Sequence, residues 1–89
     1  METRIAVIGI IVEQPSAVEA LNRVLHDHSD IIIGRMGLPY REKNVSVISV
    51  AVDAPADVIS ALAGKIGSIK GVSSKTAFSG KFTAREPEE

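Results

Sequence analysis

The chain has 89 residues, 45% of them hydrophobic and only 3% aromatic, with ten basic and eleven acidic side chains for a net charge of −1. That length suits one domain whose core is built from Ile, Val, Leu and Ala. The charge balance lacks the basic excess of a dedicated nucleic-acid-binding domain, so no direct nucleic-acid contact is expected. The absence of cysteine excludes disulfides, thiolate metal sites and a cysteine nucleophile.

The first apolar run, residues 4–12 "RIAVIGIIV", leads into "EQPS", which holds no small-residue cleavage site and reads as a helix start. It is far shorter than the ~20 residues of a membrane span, so a cytoplasmic chain without membrane contact is expected. As a strand it is apolar on both faces. Ile5, Val7 and Ile11 point one way, and Ala6, Ile8, Ile10 and Val12 the other.

A helix then opens at Ser16–Glu19, a capping-box spacing. Ala17, Leu21, Val24 and Leu25 form its apolar stripe, and Ser29-Asp30 ends it. His26 and His28 invite a metal reading. Two residues apart on a helix, however, they diverge by about 200°. Beside a helix C-terminus, where the dipole favours cations, neither needs a metal. No metal and no cofactor are expected.

A second strand is predicted over Ile31–Met36, followed by a hairpin in which Gly37 and Pro39 shape the turn. Within "IIIGRMGLPYREKN" three readings stand open. Arg35, Arg41 and Glu42 are solvated hairpin charges; or Arg35, Tyr40 and Arg41 cluster to take a carboxylate, a phosphate or a partner's acidic loop; or Tyr40 and Met36 are interface anchors.

Residues 45–58 then repeat residues 5–18. Val7 aligns with Val47, Ile8 with Ile48, Val12 with Val52, Pro15 with Pro55 and Val18 with Val58, all at an offset of 40. Two copies make one folded unit rather than a solenoid. The second helix starts after Asp53 with Pro55 in its first turn. Its stripe is Val58, Ile59, Leu62, Ala63 and Ile66, with Gly67 as a C-cap. A polar fourth strand, Val72–Phe78, suits a sheet edge. The domain is placed at 1–83, and the acidic tail, 84–89, is expected to add nothing to the core.

The order β-α-β-β-α-β predicts an α+β, ferredoxin-like sandwich with two helices on one face of a four-stranded antiparallel sheet. Strands one and three are central. The helices can cover only one face, which leaves an apolar face open. We assign Ile8 and Ile10 to that open face, with Met36 beside them, as the interface of a homo-oligomer, dimer or tetramer.

The segments "RIAVIGIIVE", "DIIIGRMGLPYREKNVSVISVAVDAP" and "GKIGSIKGVSSKTAF" resemble the small ACT-like family of regulators assigned to iron-only hydrogenase systems. The resemblance runs from about Arg4 to about Phe78, and its most specific part is Ile33–Arg41. Its relatives are ACT domains, which sense small molecules, and the C-terminal domain of the nickel-responsive repressor. The resemblance implies an ACT-type fold and a regulatory role with a small-molecule effector or a protein partner. The repressor's metal set, an HxH pair on a strand plus a cysteine, does not carry over.

Catalysis finds no support. Asp27, Asp30, Glu42 and Asp53 sit in turn or cap contexts without a pairing signal, and the serines lack a nucleophile-elbow pattern. "GKIGSIKG" lacks the order of a phosphate-binding loop. The expectation is therefore an oligomeric, non-enzymatic regulatory module. The alternative is a purely structural assembly protein for hydrogenase maturation without a small-molecule ligand.

Overall fold

The computed structural model describes residues 2–80 and 83–84. Strand β1 (Glu2–Val12) leads through a 3-10 turn (Pro15–Ala17) into helix α1 (Val18–Asp27). A second 3-10 turn (Ser29–Ile31) then feeds β2 (Ile32–Tyr40). After it come β3 (Val45–Ala54), α2 (Ala56–Gly67), β4 (Val72–Phe78) and β5 (Thr83–Ala84). The main sheet runs β2-β3-β1-β4, antiparallel throughout, so the two apolar strands are central as predicted. The protein is an α+β ferredoxin-like fold of the ACT type.

The 40-residue repeat is a local two-fold of the sheet. Gly9, in the middle of β1, pairs with Ser49, its own repeat equivalent, and the register runs outward symmetrically from Arg4↔Ala54 to Val12↔Ser46. Equivalent side chains meet equivalent environments: Ile8 and Ile48 are both buried, and so are Leu21 and Leu62.

The core lies between sheet and helices. Ala6, Ile8, Ile10 and Val12 of β1 and Ile48, Val50, Val52 and Ala54 of β3 meet Leu21 and Leu25 of α1 and Ile59, Leu62 and Ile66 of α2. Each fully buried aliphatic side chain contributes about 1.5–3 kcal/mol through water release.

The predicted capping box does not form. Pro15–Ala17 is a 3-10 turn, so Ala17 takes the N-cap position of α1 and no side chain caps it. Pro55 is the N-cap of α2 rather than part of its first turn. The stripe of α2 narrows to Ile59, Leu62 and Ile66, with Val58 turned largely outward. Chain reversal after α2 falls to Gly71 rather than Gly67, with a left-handed φ of 86°. A Cβ there would stand 2.8 Å from the Gln14 Cβ, a clash only glycine avoids.

Strand β2 runs four residues past its predicted end at Met36. Gly37 and Pro39 are strand residues, and the turn is Arg41–Asn44, closed by Lys43 N–H to the Tyr40 carbonyl at 3.3 Å. Asn44, with φ of 57°, takes the left-handed position. Pro39 is tolerated because β2 is an edge strand. A bulge at Ile33 leaves that side chain 61% exposed. Near the C-terminus, Thr83–Ala84 pairs with Glu2 and Thr3, so the backbone at the start of the expected tail is tied to β1. The rest of that tail, 85–89, lies outside the described residues. No helix among the described residues is long and apolar enough to cross a membrane.

Candidate functional site

Alternation along the central strands decides which face is open. On β3, Ile48, Val50 and Val52 point into the core, and Val47, Ser49 and Ala51 point away from the helices. Residues directly opposite one another across a ladder share a face. The pairs Val7↔Ala51 and Ile11↔Val47 therefore place Val7 and Ile11 on the helix-free side. Met36↔Ser49, Leu38↔Val47 and Tyr40↔Val45 extend that face onto β2.

The expected positions of Ile8 and Ile10 are thereby corrected. At 0% and 1% exposure they lie under the helices, not on the open face. Met36 lies on the open face, 64% exposed, on the opposite side of the sheet from Ile8 and Ile10. Sequence reasoning missed Val7, Ile11, Leu38 and Val47. A signal for them lay in the repeat. On β3 the odd positions Val47, Ser49, Ala51 and Asp53 are the more polar set, and an even offset of 40 transfers that parity to Val7, Gly9 and Ile11. The second half contributes Lys75, opposite Gly9, to the same face.

Arg35, Tyr40 and Arg41 are not brought together. Arg35 pairs across from buried Val50, so it points to the helix side, where its Nη2 donates to Asn22 Oδ1 at 3.1 Å. Tyr40, five residues on, is about 17 Å further along the strand and on the other face. Its hydroxyl donates to Glu42 Oε1 at 2.6 Å. That bond to a carboxylate raises the phenol pKa above its ordinary value, because ionisation would lose the donor and oppose two negative charges. Arg41 begins the turn. Between the hairpin and the β1–α1 connection lies an open cleft of about 170 Å³. Val12, Pro15 and Val18 line one side of it, and Tyr40, Arg41 and Asn44 the other.

His28 does not share a site with His26. Its Nδ1–H donates to the Val24 carbonyl at 2.9 Å, which ties the ring to its own helix end, while His26 is exposed. Among the described residues no three His, Asp or Glu side chains gather closely enough to hold a metal ion.

Residues 4–76 match the model of a family described as "TM1266-like: Iron-only hydrogenase system regulator, putative". Among solved structures, the chain is similar to the uncharacterized protein TM1266 from Thermotoga maritima. The two are 36% identical with a TM-score of 0.82, covering 85% of this chain and 96% of that one. A formyltetrahydrofolate deformylase from Pseudomonas putida KT2440 shares the fold at 14% identity and a TM-score of 0.54, over 82% of this chain and 28% of that one. A comparison with the curated proteins finds no match. A family match over most of the chain, together with the structural likeness to TM1266, shows that this chain belongs to the family described as "TM1266-like: Iron-only hydrogenase system regulator, putative".

Proposed function

We propose that this chain is a non-catalytic regulatory module of an iron-only hydrogenase system. In this reading it works as a homo-oligomer, dimer or tetramer, assembled through the open face of its sheet, and it responds to a small ligand or a protein partner. The observation that carries the reading is the open face itself. Met36 and Leu38 are 64% and 60% exposed, and Val7 and Val47 are each 41% exposed, on one continuous surface. Apolar surface of this kind is stabilised by about 25 cal/mol for each Å² removed from water, less the cost of association. Closed two-fold symmetry is the commonest way to cover such a face with itself. Small residues at its centre, Gly9 and Ser49, favour close approach of a second sheet.

Tyr40 and Arg41 stand where this face meets the hairpin turn, and in this reading they form its ligand- or partner-facing end. Sedimentation of the wild type at micromolar concentration tests the assembly, with Val7→Lys and Val47→Lys as variants. A dimer or larger species that the lysines dissociate supports the reading. A monomeric wild type overturns it. A thermal-shift screen with amino acids, nucleotides and divalent metals tests the sensing half, because a ligand selective for the native state raises its melting temperature. No saturable shift with any of them favours the purely structural assembly role.

A further inference from the structure

On the helix side of the molecule, away from the open face, the edge strand leaves a groove between itself and α1. Its open volume is about 450 Å³, and it is lined by Asn22, Leu25, His26, Ser29, Ile32 and Arg35. Leu25, buried, and Ile32, half-buried, give it an apolar floor. The rim is polar and one-sided in its chemistry. Asn22 Oδ1 is taken by the Arg35 guanidinium at 3.1 Å, so the side-chain amide has its N–H₂ left to offer. Arg35 keeps its remaining N–H donors. The Ser29 hydroxyl and an imidazole N–H of His26 add two more.

Among the described residues no carboxylate lines the groove, and the only partner of Arg35 is neutral Asn22. The negative end of α1 opposes an anion, and two of its last carbonyls are already engaged. Val24 O accepts from the His28 ring, and Leu25 O accepts from the His28 amide. The tether to Asn22 also limits the freedom that Arg35 would lose on binding.

From this arrangement we infer that the groove between α1 and β2 is a binding site for a small organic carboxylate with a short apolar body. The carboxylate meets the guanidinium fork and the neighbouring donors, and the apolar body lies on Leu25 and Ile32. Two exclusions sharpen the class. A bare inorganic anion leaves the apolar floor uncovered. An α-amino acid brings an ammonium group into a groove that offers it no acid. The inference is independent of assembly through the sheet, because the groove lies on the opposite side of the molecule.

Backbone amide NMR titrations of the full chain with isocaproate, isocaproamide, leucine and inorganic phosphate test it. Isocaproate is expected to give saturable shifts centred on Asn22, His26, Ile32 and Arg35. The other three compounds should bind about tenfold more weakly or worse, a loss of about 1.4 kcal/mol. Arg35→Gln should lose the isocaproate response to the same extent. Arg35→Lys, which keeps the charge without the fork, should retain part of it. The spectrum of each variant away from the groove reports whether its fold is intact. Equal binding of acid and amide, binding of leucine or phosphate as tight as that of isocaproate, an unchanged response in Arg35→Gln, or shifts centred on the hairpin turn would each overturn the assignment.

Discussion

Replacing Ile8 by Ala tests the face assignment at its sharpest point. Ile8 is 0% exposed, while its chain neighbour Val7 is 41% exposed on the other side of the same strand. Removing a fully buried isoleucine down to its Cβ costs about 2–5 kcal/mol, from lost transfer energy and the cavity left behind. A domain of 89 residues has a total stability of about 4–13 kcal/mol, so this one change removes a large share of it. With a urea m value of about 1–2 kcal/mol/M for so small a chain, the midpoint should fall by at least about 1 M. Val7→Thr keeps the shape and changes only a half-exposed group, so its cost to the folded protomer should stay below about 1 kcal/mol. The assay is urea unfolding followed by circular dichroism at several protein concentrations. Assembly shows itself as a concentration-dependent midpoint, whereas protomer stability does not. If Val7→Thr costs a dilute protomer as much as Ile8→Ala does, the two faces have been exchanged and the account of the core fails.

Further outcomes follow from single side chains. Leu21→Ala, in the buried stripe of α1, should cost about 2–5 kcal/mol in the same assay. His26→Ala, on the exposed side of the helix, should stay within about 0.5 kcal/mol, and equal losses would mean that α1 is rotated. Tyr40 is the only tyrosine, so its ultraviolet absorbance reports one phenol, which should ionise above the ordinary value of about 10. Glu42→Gln should bring that titration down, and an unchanged curve would deny the hydrogen bond. Because the folded pKa is the raised one, the stability linked to this proton is complete below the unfolded pKa and is lost as pH rises through the folded value. Gly71→Ala should lower the melting temperature through a strained φ and a clash with Gln14, while Gly34→Ala, with nothing within 4 Å of a Cβ, should not. Similar melting temperatures for the two variants would refute the glycine argument.

The helices and central strands were legible because their patterns had a single solution. Leu21 and Leu25, or Ile59, Leu62 and Ile66, lie on one side of a 3.6-residue helix and nowhere else. The faces of β1 were not legible from β1 alone. A strand apolar at both parities gives the same period-two signal whichever side the helices take, and only its polar-alternating repeat partner carries the distinction. The extent of β2 was hidden for another reason. Gly34, Gly37 and Pro39 normally punctuate turns, but an edge strand lacks a neighbour on one side and accepts them, so the reversal waited for Asn44. The separation of Arg35 from Tyr40 followed from that longer strand. Residues read as one possible cluster became positions on opposite faces.

The order of the strands also sets an order in time. Only β2 and β3 are neighbours in the chain; β1 pairs with β3 through Arg4↔Ala54 and with β4 through Ala6↔Phe78. The hairpin can close locally, whereas β1 must wait for contacts that enclose most of the sequence and carry the larger loop-closure entropy. The first strand of the fold is therefore completed last, and its doubly apolar surface stays unpaired longest. The pairing Glu2↔Ala84 brings the two ends of the sheet opposite one another. A circular permutant opened in the Arg41–Asn44 turn and joined there would make β4 and β1 a local hairpin. Its order is again β-α-β-β-α-β, with β2 and β3 now the distant pair, so it should keep the same sheet and refold at about the natural rate.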